Sequence, residues 1–200
     1  MSDSAEAIPW PGDRPTTLPA LGERTLDAAW RLHWEPDPTV ERRYPAGRYR
    51  FDAPAGEFGV TYVGDDPLAV YAETYAEGSR VLAASEADRR RSRLWSTRPL
   101  RLLRMDDMAV AAAFGLDNRI STEKPYARTH AWSAAWHAWY PALDGVSFLG
   151  RKSAPHRSHC LYLDRCADAL AFKTEGTLAE LRSDGLRACF RYRITPALFF

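Results

Sequence analysis

Arg31, Arg50, Tyr62 and Glu73 are the residues of this chain whose types and spacing could do chemistry together. Arginine forks grip phosphate oxygens through paired, charge-assisted hydrogen bonds that lysine cannot match in geometry. A carboxylate beside a ribose stabilises positive charge that develops on the sugar as a leaving group departs. An aromatic ring next to the departing group fixes its angle and keeps water out. The set therefore suits an anionic, ribose-containing ligand: Arg31 and Arg50 to hold it, Glu73 to act on the sugar, Tyr62 to supply a ring face or a hydroxyl. Taken singly, each residue also has a plain explanation. Glu73 lies off the apolar stripe of Leu68, Tyr71 and Tyr75, on the side of Glu77. Arg50 has a local carboxylate in Asp52, Tyr62 suits a core or rim position, and Arg31 lies opposite a tryptophan face. The joint spacing favours a site.

The elements that must position these residues can be read from pattern. In Ala29–Trp34, Trp30, Leu32 and Trp34 alternate with Arg31 and His33, the period of a strand. Pro36 and Pro38 mark a loop, and Gly47 to Gly56 carries the punctuation of a long turn. Phe58–Val63 reads as a buried strand ending beside Tyr62. Asp66 before Pro67 starts a helix, with an acceptor at the cap and a ring that presets φ, and Gly78 ends it after Glu77.

Further on, Arg89–Arg93 is a basic run expected in a solvated loop or at a partner contact, and Pro99–Arg104 is a strand. Met105–Gly115 is a helix with Asp106 and Asp107 in its first turn. Thr129–Tyr140 is a helix whose Trp132, Trp136 and Trp139 form one packing stripe, leaving Thr129, Ser133 and His137 to border a cleft. Gly145–Leu149 and His159–Leu163 are strands, Thr177–Arg182 a short helix, and Leu186–Ile194 a final alternating strand. These elements imply one α+β domain with a mixed or antiparallel sheet flanked by short helices. Residues 1–24, with Pro9, Pro11, Pro15 and Pro19, form an arm that is either disordered or wrapped on the domain of residues 25–200. No glycine-rich Rossmann fingerprint follows a strand.

Composition narrows the function classes. At 200 residues and 46% hydrophobic, the chain supports a single well-buried core. Its 27 basic residues nearly cancel its 26 acidic ones, so no global field favours nucleic acid or an anionic membrane. Only Lys124, Lys152 and Lys173 are lysines; the other basic residues are arginines. Cys160, Cys166 and Cys189 are odd in number and no signal-like apolar stretch follows Met1, which points to a reducing cytoplasm. His156, His159, Cys160 and Cys166 match no paired metal-ligand spacing, so no metal is expected.

The block of Arg50, Phe51, Asp52, Pro54, Gly56, Gly59, Val60, Tyr62, Asp66, Pro67 and Glu73, followed by Asp144-Gly-Val-Ser-Phe-Leu-Gly-Arg151, resembles the RES domain. The resemblance covers roughly Trp30 to Leu163. It implies a core related to ADP-ribosyltransferases and a toxin that consumes NAD⁺ as substrate, with no resident cofactor. It also implies neutralisation by a helix-turn-helix antitoxin of the Xre class. Carried over by position, Arg31 matches the early strand arginine, Arg50 the family's named arginine, Tyr62 the strand-end tyrosine and Glu73 the helical glutamate. The family's serine falls at Gly150 here, and Ser147, Ser153 and Ser133 are nearby sources of a hydroxyl; Ser133 and Gly150 join Arg31, Arg50 and Tyr62 as ligand-binding candidates. Cleavage of the nicotinamide–ribose bond with water would make the chain a glycohydrolase, and with inorganic phosphate a phosphorylase. The alternatives are protein ADP-ribosyltransfer and a non-enzymatic module that binds NAD or a partner.

Overall fold

The computed structural model describes residues 7–34 and 47–199. The first six residues of the arm and the loop expected at Pro36 and Pro38 lie outside the described residues. Eight strands form one sheet: β1 (Gly22–Arg24), β2 (Ala29–His33), β3 (Val60–Gly64), β4 (Arg90–Ser96), β5 (Leu100–Arg104), β6 (Gly145–Leu149), β7 (Arg157–Tyr162) and β8 (Leu170–Thr177). Their order across the sheet is β1-β5-β6-β7-β3-β2-β4-β8. Every neighbouring pair is antiparallel except β5 and β6. The helices are α1 (Ala69–Tyr75), α2 (Met108–Ala112), α3 (Ala127–Trp139), α4 (Leu163–Cys166) and α5 (Arg182–Tyr192). The fold class is α+β with a mixed sheet, as the element pattern implied. Among the described residues, no helix is long and apolar enough to cross a membrane.

From residue 7 onward the arm is packed on the domain. Ile8 is buried among the aromatics of the main core. The Pro9 carbonyl accepts from Trp132 Nε1 at 2.8 Å and the Pro19 carbonyl from the Tyr140 hydroxyl at 2.9 Å. β1 then pairs with β5. The prolines remove amide donors from the arm, but their carbonyls still serve as acceptors for the aromatic edge of α3.

The structure departs from the sequence pattern in three segments. The Arg89–Arg93 run lies mostly within β4, between β2 and β8. Arg91 is buried there, paired to Glu175 at 2.6 Å and Asp184 at 2.8 Å, so its charge is offset inside the protein. Residues 178–181 form a turn closed by reciprocal bonds between Thr177, at the end of β8, and Glu180, the capping-box signature, and the helix proper begins at Arg182. Leu186–Ile194 is largely α5: Gly185, Ala188 and Cys189 are buried and Tyr192 half-buried, at the i, i+3, i+4, i+7 positions of a helix face. Phe190, which alternation in a strand would put on the same face as Ala188, is 89% exposed.

Candidate active site

A cleft of about 630 Å³, within the usual range for a small-ligand site, opens beside β2, β3 and α1; Arg31, Arg50, Tyr62 and Glu73 all line it. Each is set in place by a different device.

Glu73 comes from the turn that sends β3 into α1. Asp66 Oδ1 accepts from the amides of Leu68 at 2.9 Å and Ala69 at 2.7 Å, satisfying the first donors of the helix. Ala69, Val70, Tyr71, Ala72 and Tyr75 are buried. That packing leaves Glu73 half-buried on the flank toward the loop after β6. Its Oε1 accepts from the Lys152 amide at 2.7 Å and from the Ser153 hydroxyl at 2.8 Å. Glu77, one turn on and exposed, pairs with Lys124 and Arg151 at the rim of the same cleft.

Arg50 sits in the turn between Gly47 and Gly56 and is 7% exposed. Phe51, fully buried, anchors it between Trp136 and Phe148. Arg50 Nη1 donates to the carbonyls of Glu123 at 2.9 Å and Ile120 at 3.4 Å, and the guanidinium lies over the Tyr126 ring. Asp52 does not pair with it; that carboxylate accepts from Tyr49 N at 2.7 Å and from the Tyr62 hydroxyl at 3.0 Å. Among the described residues no carboxylate lies within ion-pair distance of Arg50. Burial pushes the Arg50 pKa below the ordinary arginine value, aided by nearby Arg151 and opposed by Tyr126, Tyr62 and Glu73. A buried cation without a counter-charge is costly unless an anion joins it.

Tyr62 ties β3 to the Arg50 turn. Its hydroxyl accepts from Phe51 N at 2.8 Å and donates to Asp52 Oδ1, while its ring packs edge-on against Tyr49. Burial, then the neighbouring Cys160 and Asp52, pushes its pKa well above the usual phenol value, so it stays protonated. Arg31, on β2, donates to Thr61 Oγ1 of β3.

Two other candidates sit elsewhere. Ser133 is fully buried on α3 and bonds the Phe51 carbonyl at 2.7 Å and the Tyr162 hydroxyl at 3.1 Å. Thr129 is likewise buried, and His137 stacks on Phe58. That face of α3 therefore packs on the core and does not border the cleft; Ser133 bears on the site only by holding Phe51, next to Arg50. Gly150 lies behind the cleft lining, against Glu73 and Ser153. Tyr126 was not legible in the sequence as a site residue. Nor was Arg89, which lines the cleft with its guanidinium over the rings of Trp34 and Tyr75. Neither belongs to a periodic pattern; loop and turn geometry bring them in.

The sheet and this cleft define an α+β protein with an arginine- and carboxylate-lined cleft at the junction of β3 and α1. A family model described as the RES domain matches residues 28–184, and the chain belongs to that family. Among solved structures the chain is similar to one from the crystal structure of the M. tuberculosis MbcT–MbcA toxin–antitoxin complex. The TM-score is 0.56 at 16% identity, over 82% of this chain and 90% of that one, a likeness of fold. Curated proteins yield no match.

Proposed function

We propose that this chain is the toxin of a toxin–antitoxin pair and acts by cleaving the nicotinamide–ribose bond of NAD⁺. The observation that carries this reading is Arg50, buried, unpaired by any described carboxylate and lining the same cleft as Glu73. The pyrophosphate supplies the missing counter-charge, with Arg31 as the second fork. Nicotinamide leaves as a neutral pyridine, taking the bonding electron pair, and positive charge builds on the ribose. Glu73, its Oε1 already engaged, uses Oε2 to stabilise that charge and orient the sugar hydroxyls. The oxygen of water or inorganic phosphate then bonds to the anomeric carbon and a proton is released to solvent.

The Tyr62 ring forms the wall beside nicotinamide, while its hydroxyl keeps the Arg50 turn on β3. The structural neighbour was crystallised with an antitoxin, which supports an antitoxin as partner here; the family resemblance adds that it would be of the Xre helix-turn-helix class, and the free cysteines accord with action in a reducing cytoplasm. Purified protein incubated with NAD⁺, with and without phosphate, tests the reading. Release of nicotinamide with ADP-ribose indicates hydrolysis, and with a phosphorylated ADP-ribose, phosphorolysis. ADP-ribose label on a macromolecule would replace this reading with transferase chemistry.

A further inference from the structure

Gly150 is not in a left-handed conformation, so its backbone does not require glycine. Space does. A Cβ built at this position would lie 2.1 Å from Ser153 Oγ, 2.8 Å from Glu73 Oε1 and 3.2 Å from the His156 carbonyl. Ser153 is itself buried, 1% exposed, in a loop closed by Gly150 N on the His156 carbonyl at 2.9 Å and by His156 N on the Ser153 carbonyl at 3.1 Å. Closure aims the Lys152 amide and the Ser153 hydroxyl at one carboxylate oxygen of Glu73. The hydroxyl therefore occupies the volume that any side chain at position 150 would need.

We infer that Ser153 is a positioning residue for Glu73 and that Gly150 is its seat, so that positions 150 and 153 can supply this hydroxyl only one at a time. The inference rests on the role proposed for Glu73. Ser153 acts through that carboxylate: it fixes Oε1 and so decides where Oε2 points. A charge-assisted hydrogen bond of this kind is worth about 1.5–3 kcal/mol, or roughly tenfold to a hundredfold in rate when expressed fully in the transition state.

Steady-state kinetics on NAD⁺ with Ser153→Ala, Gly150→Ser and the double variant test it. The expected result is a kcat for Ser153→Ala lower by roughly tenfold to a hundredfold, with KM within about twofold. Gly150→Ser alone should lose more, because its Cβ displaces the Ser153 hydroxyl. The double variant should recover at least tenfold over Gly150→Ser: with Ser153 Oγ gone, the severest clash is removed, and the contacts that remain are the flexible end of Glu73 at 2.8 Å and the His156 carbonyl at 3.2 Å. An unchanged kcat for Ser153→Ala, a fully active Gly150→Ser, or a double variant no better than Gly150→Ser would each overturn the inference.

Urea unfolding of Glu73→Ala, Ser153→Ala and their combination separates this from failure of the proposed activity, since it needs no turnover. Non-additive midpoints uphold the Glu73–Ser153 coupling even in a protein that leaves NAD⁺ intact. Additive midpoints contradict it.

Discussion

The guanidinium carbon of Arg50 lies 5.0 Å from the centre of the Tyr126 ring, with backbone carbonyls of the same loop on its Nη1. The ring and carbonyls hold the cation in one orientation without neutralising it. Lysine at this position would keep the charge but lose the planar stacking and the fork. Arg50→Lys should therefore raise KM for NAD⁺ by roughly tenfold to a hundredfold, the value of one charged hydrogen-bonding interaction, with a smaller change in kcat. Initial-rate measurements over a wide substrate range check this; an unaltered KM would remove Arg50 from the binding role.

The Tyr62 hydroxyl is committed to Phe51 N and Asp52. Tyr62→Phe leaves a largely buried amide and a carboxylate oxygen short of a partner, at a cost of about 1–3 kcal/mol. At about 2–4 °C per kcal/mol for a domain of this size, the melting temperature should fall by several degrees. Turnover below the transition should change little, because the ring remains. Differential scanning fluorimetry and kcat on one preparation decide it: a large loss of kcat with an unchanged melting temperature would make the hydroxyl a chemical group.

Acid should weaken the fold through Asp106, whose side chain is 1% exposed. Burial pushes its pKa up, but hydrogen bonds from Arg157 and Arg104 outweigh burial and hold it below the usual carboxylate value. A depressed folded-state pKa contributes stability that is fully present above the unfolded value of about 4 and disappears as pH falls through the folded value. Urea midpoints should therefore drop between pH 5 and pH 3, and Asp106→Asn should be less stable at pH 6 with a flatter acid limb. Parallel acid limbs would contradict the assignment.

The helical reading of residues 182–192 makes a contrast between neighbours. Phe190→Ser, at an exposed position, should change stability by no more than about 0.5 kcal/mol. Ala188→Leu, in a packed one, should cost about 1–3 kcal/mol. Urea denaturation measures both, and a Phe190→Ser loss as large as that of Ala188→Leu would restore the strand.

Near the site, the local signals were strong. Asp66-Pro67 set the start of α1, and alternation set β2, so pattern alone assigned Arg31, Tyr62 and Glu73 to their elements. What the sequence could not express was the loops. Arg50 has Asp52 two residues away, yet that carboxylate is claimed by Tyr62 and Tyr49, and Arg50 turns to carbonyls some 70 residues distant. Ser133 follows the helical period correctly, but which side of α3 meets the core depends on Phe51 packing on it. The α5 segment satisfied two periods at once; burial against α1, a tertiary fact, selected the helical one. Gly150 looked like the loss of a hydroxyl, and the fold places Ser153 in the same space.

The most direct test of the central claim is mass-spectrometric identification of products after NAD⁺ is incubated with the purified chain and with its Glu73→Ala variant, each with and without phosphate. The predicted result is stoichiometric nicotinamide release by the parent and a loss of at least a hundredfold in the variant, the scale of removing a group that stabilises transition-state charge. Intact NAD⁺ with the parent under every condition, or equal release by Glu73→Ala, would contradict it.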